Sequence, residues 1–205
     1  MSTDGTGRQS PLGHLRGAAG GGPGLDGGAV LIFERPFLGY LNLRGDAGDG
    51  DFASATWSAL GFHLPTKPNR TVGKDSLTAH WLGPDEWLVV TPANVQAWLI
   101  DSLEASLEDV HASVTDLTGG YTTISLSGPK ARDILAKGCP LDLHPAVFSP
   151  GDCAQTLVAK AGAMIRCVDD SPSFELVVRR SFAEYAALWL RDAALEYGEP
   201  SAPNG

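Results

Sequence analysis

Cysteine is scarce in this sequence, long apolar runs are absent, and positive charge is in the minority. The three cysteines, Cys139, Cys153 and Cys167, are too few and too widely spaced for a disulfide framework or a zinc knuckle, which fits a reducing cytoplasm. No stretch approaches the roughly 18 consecutive apolar residues of a membrane-spanning helix, so no membrane partner is expected. The N-terminus lacks the basic-then-apolar pattern of a secretory signal. Fifteen Lys and Arg against 24 Asp and Glu leave a net charge of −9. Duplex binding needs clustered cations that displace counterions, so nucleic acid is not expected either. What is there is ordinary for a globular chain: 205 residues, 43% apolar and 19% charged, with 25 Gly and 14 Pro. That length can bury one good core or two small lobes.

Ten of the first 28 residues are glycine, and Leu12, Leu15 and Leu25 are the only large aliphatics after Met1. Such a segment buries too little apolar surface to offset its ordering entropy, so residues 1–28 are expected to be a disordered tail. Residues 199–205 read as a second, short tail. Gly22-Pro23-Gly24-Leu25-Asp26-Gly27 fits G-x-G-x-x-G, but no strand feeds it and Pro23 lies inside it, so no dinucleotide site is expected.

The folded part is expected over 29–198. Ala29 to Phe33 and Phe37 to Leu43 read as strands. Asp46, Asp49 and Asp51 lack EF-hand spacing and a closing Glu. They read as a turn, with Asp51 as N-cap of a helix from Phe52 to about Leu60 that Gly61 ends. The loop from His63 to Asp75 carries Lys67, Arg70 and Lys74. Its Gly73-Lys74-Asp75 is no phosphate loop, because a Ser or Thr must follow the Lys and a glycine must stand at position 68, where Pro68 is found. Leu77 to Leu82 and Trp87 to Val90 read as a hairpin around Gly83-Pro84-Asp85-Glu86. Thr91 as N-cap and Pro92 as first helical residue then open a helix with Val95, Trp98, Leu99, Leu103 and Leu107 on its core face.

A similar order returns in the second half. Val114 to Thr118 reads as strand and turn, Thr122 to Leu126 as a strand, and Ser127-Gly128-Pro129 opens a helix ended by Gly138. Ala154 to Ala159 and Ala163 to Val168 read as paired strands, with Phe174 to Val178 as another. Ser181-Phe182-Ala183-Glu184 reads as a capping box, with Phe182, Tyr185, Ala186, Trp189 and Ala193 facing inward. Leu88-Val89-Val90 recurs as Leu176-Val177-Val178, and Trp98-Leu99 as Trp189-Leu190. Two similar halves, 29–112 and 113–198, account for the repetition, and the expected class is α+β, mostly antiparallel sheet with helices.

Chemistry-bearing motifs are missing. The sequence has no G-x-S-x-G, H-E-x-x-H or C-x-x-C pattern. His14, His63, His80, His111 and His144 have no partner at ligand spacing and read as core or surface histidines. Asp116 and Asp142 sit in turn contexts that favour capping over general-base work. Cys153 has no evident positive neighbour to lower its pKa, and Asp85-Glu86 reads as a solvated turn pair. Five tryptophans remain, at 57, 81, 87, 98 and 189, more than one stripe per helix requires, so part of the aromatic surface is expected to face a partner.

Several stretches resemble the gamma subunit family of heterotetrameric sarcosine oxidases: Leu41-Asn42-Leu43-Arg44-Gly45, Leu60-Gly61 with Leu64-Pro65 and Pro68-Asn69, Trp81-Leu82-Gly83-Pro84-Asp85-Glu86-Trp87-Leu88, Val114-Thr115-Asp116-Leu117-Thr118 and Leu126-Ser127-Gly128-Pro129-Lys130-Ala131. Ser173-Phe174-Glu175-Leu176 and Arg180-Ser181-Phe182-Ala183 continue the likeness, which covers about 29 to 197. It implies a folate-binding-domain fold of the aminomethyltransferase type, two ferredoxin-like halves. It implies a complex that demethylates sarcosine to glycine, passes the one-carbon unit to tetrahydrofolate and makes hydrogen peroxide. FAD, FMN and NAD belong by this likeness to the alpha and beta subunits and zinc to the delta subunit, while the gamma subunit is a structural partner with no catalytic, cofactor or metal residues of its own. Glu175 stands where folate-binding relatives place a pterin-contacting glutamate; a buried or cross-strand acid is the favoured reading. The alternative is a stand-alone folate-binding protein or aminomethyltransferase-like enzyme.

Overall fold

The computed structural model describes residues 7–15, the backbone of 25–26, and residues 30–197. Eleven strands are described in chain order. They are β1 (Leu25–Asp26), β2 (Leu31–Arg35), β3 (Gly39–Arg44), β4 (Thr71–Lys74), β5 (Leu77–Gly83), β6 (Glu86–Thr91), β7 (Ser113–Asp116), β8 (Tyr121–Ser127), β9 (Cys153–Val158), β10 (Ala161–Asp169) and β11 (Ser173–Arg179). Four helices accompany them: α1 (Gly50–Leu60), α2 (Gln96–Ser106), α3 (Ala131–Ala136) and α4 (Ala183–Ala194). The chain divides into two units. One comprises Phe37–Gly119 with Asp152–Ala154, and the other comprises the residues up to Pro36 with Gly120–Gly151 and Gln155 onward.

In the 37–119 unit the sheet order is β4-β5-β6-β3-β7. Its four strand pairs are all antiparallel. Leu41, Leu43, Ala79, Trp87 and Val89 point to one face, where Phe52 and Leu60 of α1 and Leu99 and Leu103 of α2 complete a dry core. The Trp87 indole N–H donates to the Pro65 carbonyl at 2.8 Å, so the largest buried ring keeps its one polar atom bonded. Gly45 is required here: a Cβ would stand 2.2 Å from the Phe52 ring. Gly61, at φ +77°, ends α1 in the left-handed conformation that glycine tolerates.

In the other unit the order is β1-β2-β8-β11-β10-β9. Leaving out β1, this is the same sheet written from the opposite edge. The strand β8 corresponds to β3, the central β11 to β6, β10 to β5, and the edge strand β9 to β4. Ile32, Ile124, Leu126, Phe174, Leu176 and Val178 are buried, as are Ile134 and Leu135 of α3 and Ala186 and Leu190 of α4. Phe174 stacks on Phe148 with centroids 6.4 Å apart, and the Arg132 guanidinium lies over the same ring at 5.0 Å.

The α+β class holds, and its boundaries differ from the expected halves. The β2 strand precedes the 37–119 unit in the chain yet pairs with β8 of the other sheet. Reciprocally, β7 precedes the second repeat yet pairs with β3. Sequence shows that a segment is extended; which sheet edge it joins is a long-range choice. Residues 7–15, expected as tail, hold a 3-10 turn at Gly13–Leu15 with Leu12 buried, and Leu25–Asp26 pairs with β2. The rest of the expected N-terminal tail, the glycines of G-x-G-x-x-G, and residues 199–205 lie outside the described residues.

Helix ends and faces also differ in detail. The N-cap of α1 is Asp49, not Asp51: its side chain accepts from the Asp51 and Phe52 amides. Thr91 is the last residue of β6, so the strand ladder takes it and α2 starts at Gln96 without a side-chain cap. Trp98 is 64% exposed. The core takes Leu99, Leu103 and Leu107, and a tryptophan one position earlier points about 100° away from Leu99. Gly138 does not end α3, which stops at Ala136 with Lys137 as C-cap. Residues 180–182 form a 3-10 turn rather than a capping box, and α4 begins at Ala183 with no side-chain cap. Its buried row is Ala183, Ala186, Leu190 and Ala193, leaving Phe182 and Tyr185 exposed.

Candidate functional site

Glu175 on β11 is the candidate with a built environment. Cross-strand register sets it opposite Arg166 of β10 and Ser125 of β8. Its Oε2 accepts from Arg166 Nε at 2.6 Å, and its Oε1 accepts from Arg35 Nη1 at the end of β2. Burial by itself pushes the Glu175 carboxyl up, but the Arg166 hydrogen bond together with the Arg166 and Arg35 charges outweighs it and holds the group below the ordinary carboxylate range. Glu175 is therefore an ionised carboxylate with a guanidinium on each oxygen. This arrangement suits a structural ion cluster.

The other acids and histidines are placed singly. Asp116 accepts from the Thr118 amide and Asp142 from the His144 amide, both as turn acceptors. Asp46 accepts from the Gly48 amide. His80 is buried between Thr71 and Thr78, at 2.8 and 3.1 Å. His63 packs on Trp57, and His14 meets Glu184 at 3.2 Å. His111 and His144 are exposed. All three cysteines are buried and in no disulfide. Gly73-Lys74-Asp75 forms part of the β4–β5 hairpin, with Asp75 at φ 55°. A groove of about 270 Å³ runs beside that turn between Lys74, Val95 and Trp98. Among the described residues no three His, Cys, Asp or Glu side chains converge as metal ligands.

Within the 37–119 unit, the stretches around Leu41–Gly45, Trp81–Leu88 and Val114–Thr118 that carry the family resemblance meet in space. Asn42 donates to Glu86 at 2.8 Å, Arg44 to Asp85 at 2.7 Å, and the Gly45 amide to the Asp85 carbonyl at 3.1 Å. Asp85-Glu86 is thus tied to β3 rather than merely solvated. Tyr40 holds the Thr118 segment through two bonds: its amide donates to Thr118 Oγ1, and its carbonyl accepts from the Leu117 amide. These stretches build the sheet of the 37–119 unit and its turns, while those beginning at Leu126 and Ser173 belong to β8 and β11 of the other sheet.

The chain matches the family model described as SoxG: Sarcosine oxidase, gamma subunit family, over residues 44–196. It belongs to the sarcosine oxidase gamma subunit family. The sarcosine oxidase subunit gamma of Corynebacterium sp. (strain P-1) is 34% identical over 197 residues, covering 95% of this chain and 94% of that one. The protein of the same name from Arthrobacter sp. is 33% identical, over 95% and 93%. Among solved structures, a chain of the heterotetrameric sarcosine oxidase from Corynebacterium sp. U-96 superposes with a TM-score of 0.83 at 31% identity, over 97% of this chain and 99% of that one. The glycine cleavage aminomethyltransferase of Bartonella henselae shares the fold, with a TM-score of 0.60 at 16% identity, over 78% of this chain and 44% of that one. The gamma-subunit fold is therefore of the aminomethyltransferase folate-binding type.

Proposed function

We propose that this chain is the gamma subunit of a heterotetrameric sarcosine oxidase, a scaffold that stabilises flavin-bearing partners and contributes no catalytic, cofactor or metal residue itself. The observation that carries this reading is near end-to-end similarity, in sequence and in fold, to gamma subunits and to a chain of that complex. In the proposed assembly the alpha and beta subunits hold FAD, FMN and NAD and the delta subunit holds zinc. Sarcosine is oxidised to glycine with one-carbon transfer to tetrahydrofolate and release of hydrogen peroxide, in the cytoplasm. For this chain, the described helices include none long and apolar enough to cross a membrane. The exposed rings of Trp57 and Trp98 supply aromatic surface for subunit contacts.

The test is expression with and without the partner subunits. The chain alone is expected to carry no flavin and oxidise no sarcosine, and to co-purify with the larger subunits when they are present. Stoichiometric flavin in the isolated chain would refute the proposal. A stand-alone folate protein of the same fold is the competing reading, and the aminomethyltransferase likeness is its support. The two arginines on Glu175 account for that acid as a structural one, which favours the scaffold reading. Calorimetry with a reduced folate decides: tight binding abolished by Glu175→Ala would favour the folate reading.

A further inference from the structure

We propose that residues 7–15 form a strap that closes over a slot in the 120–197 unit and opens independently of the sheet beneath it. Two anchors of different kind hold the strap. Leu12, 1% exposed, is buried against the sheet and forms one wall of a cavity of about 30 Å³ that Leu15, Ile32, Ile124 and Ala187 also line. Ser10 donates its hydroxyl to Glu34, a carboxylate only 3% exposed, whose other oxygen accepts from Thr122 Oγ1 at 2.8 Å. The same Ser10 oxygen accepts the Leu12 amide at 3.2 Å, which sets the turn that delivers Leu12 to the slot. Both anchors therefore depend on one hydroxyl.

The other described contacts of the strap are a β-bridge at Gln9, one turn and a few side-chain bonds. The Gly13 amide bonds the Ser10 carbonyl and the Leu15 amide bonds the Leu12 carbonyl, which makes one 3-10 turn. Arg180 reaches the Gln9 carbonyl, and His14 meets Glu184 between half-exposed side chains. By contrast, the β8 strand below the strap is fixed by five cross-strand pairs with β2 and seven with β11. A segment tied by a few side-chain anchors opens at lower free energy than such a ladder. Lifting the strap bares an apolar floor that carries the Glu34 carboxylate, with Arg191 at its edge.

Amide hydrogen exchange on the full chain tests this. Residues 12, 13 and 15 are expected to be protected in the wild-type protein. Ser10→Ala is expected to speed exchange across 8–15 by about tenfold, the cost of losing a hydrogen bond to a carboxylate. Leu12→Ala is expected to speed it by about a hundredfold, because truncating the buried side chain enlarges the cavity it lines. Peptides covering 121–127 should keep their wild-type rates in both variants. Three outcomes overturn the proposal: free-peptide exchange at 12–15 in the wild type, no change in 8–15 on Ser10→Ala, or acceleration of 121–127 by the same factor as 8–15.

Discussion

The two units carry the same strand and helix order, yet the strand beside their main hairpin is filled differently on its two faces. Trp87 and Phe174 stand near the start of β6 and β11, and both rings are fully buried. Each has an aromatic neighbour, Phe52 for Trp87 and Phe148 for Phe174. Each faces a leucine of the neighbouring strand, Leu43 of β3 or Leu126 of β8. This correspondence places Leu88 against Glu175, not against Leu176. The Leu-Val-Val repetition visible in the sequence is one residue out of register, and in a strand one residue exchanges the faces. The helix-facing side has kept an apolar, aromatic identity in both units. The opposite side is leucine in one and an arginine-bound carboxylate in the other.

The comparison breaks most visibly at the two rings. Trp87→Ala and Phe174→Ala are each expected to cost about 4 kcal/mol in denaturant unfolding, from lost transfer energy and an unfilled cavity. A small loss at one and a large loss at the other would show that the positions are not equivalent. Next comes Glu175→Ala, expected to cost about 3 kcal/mol because it strands two guanidinium groups. This effect is pH-dependent. Because the folded carboxyl titrates below its ordinary 4.5, its contribution is complete above that value and is lost as pH falls through the lower folded value. Glu175→Gln should flatten the acid limb of a stability–pH curve, while Leu88 variants should leave it unchanged.

Gly138→Ala is expected to cost about 2 kcal/mol, since a Cβ there would lie 2.5 Å from the Trp189 ring. Smaller still is Asp49→Ala, about 1 kcal/mol in thermal unfolding, for the loss of the α1 cap. At the start of α4, Ser181→Ala is expected to stay within about 0.5 kcal/mol because no side chain caps that helix. Equal losses at Asp49 and Ser181 would contradict the asymmetry between the two helix starts.

The hairpin of β5 and β6 and the αL end of α1 were legible because short-range rules govern them: Pro-Asp between apolar runs makes a turn, and Gly61 accepts a positive φ. The α1 cap was half legible. Asp49 and Asp51 both suit an N-cap, and the turn made by Asp46 decides that the helix begins at Gly50. The face of α2 was legible through Leu99, Leu103 and Leu107 but not through Trp98, since how wide a stripe the sheet covers is not written in the helix. At the candidate site, the sequence marks Glu175 as an acid inside an apolar strand. Its partner Arg35 lies 140 positions earlier, too far for any local pattern to connect them.

By its own pattern of apolar spacing, turn residues and shared motifs, the sequence determined the α+β class, most of the strands and helices, and membership of the gamma subunit family. Tertiary structure alone decided that β2 and β7 join the sheets of the opposite repeats, that Leu12 is buried rather than part of a tail, and that Glu175 is held by two arginines. The reason is range. Turns, caps and periodicity act over a few residues, whereas strand pairing, slot filling and ion clustering depend on which distant segments the folded backbone brings within a few ångströms of each other.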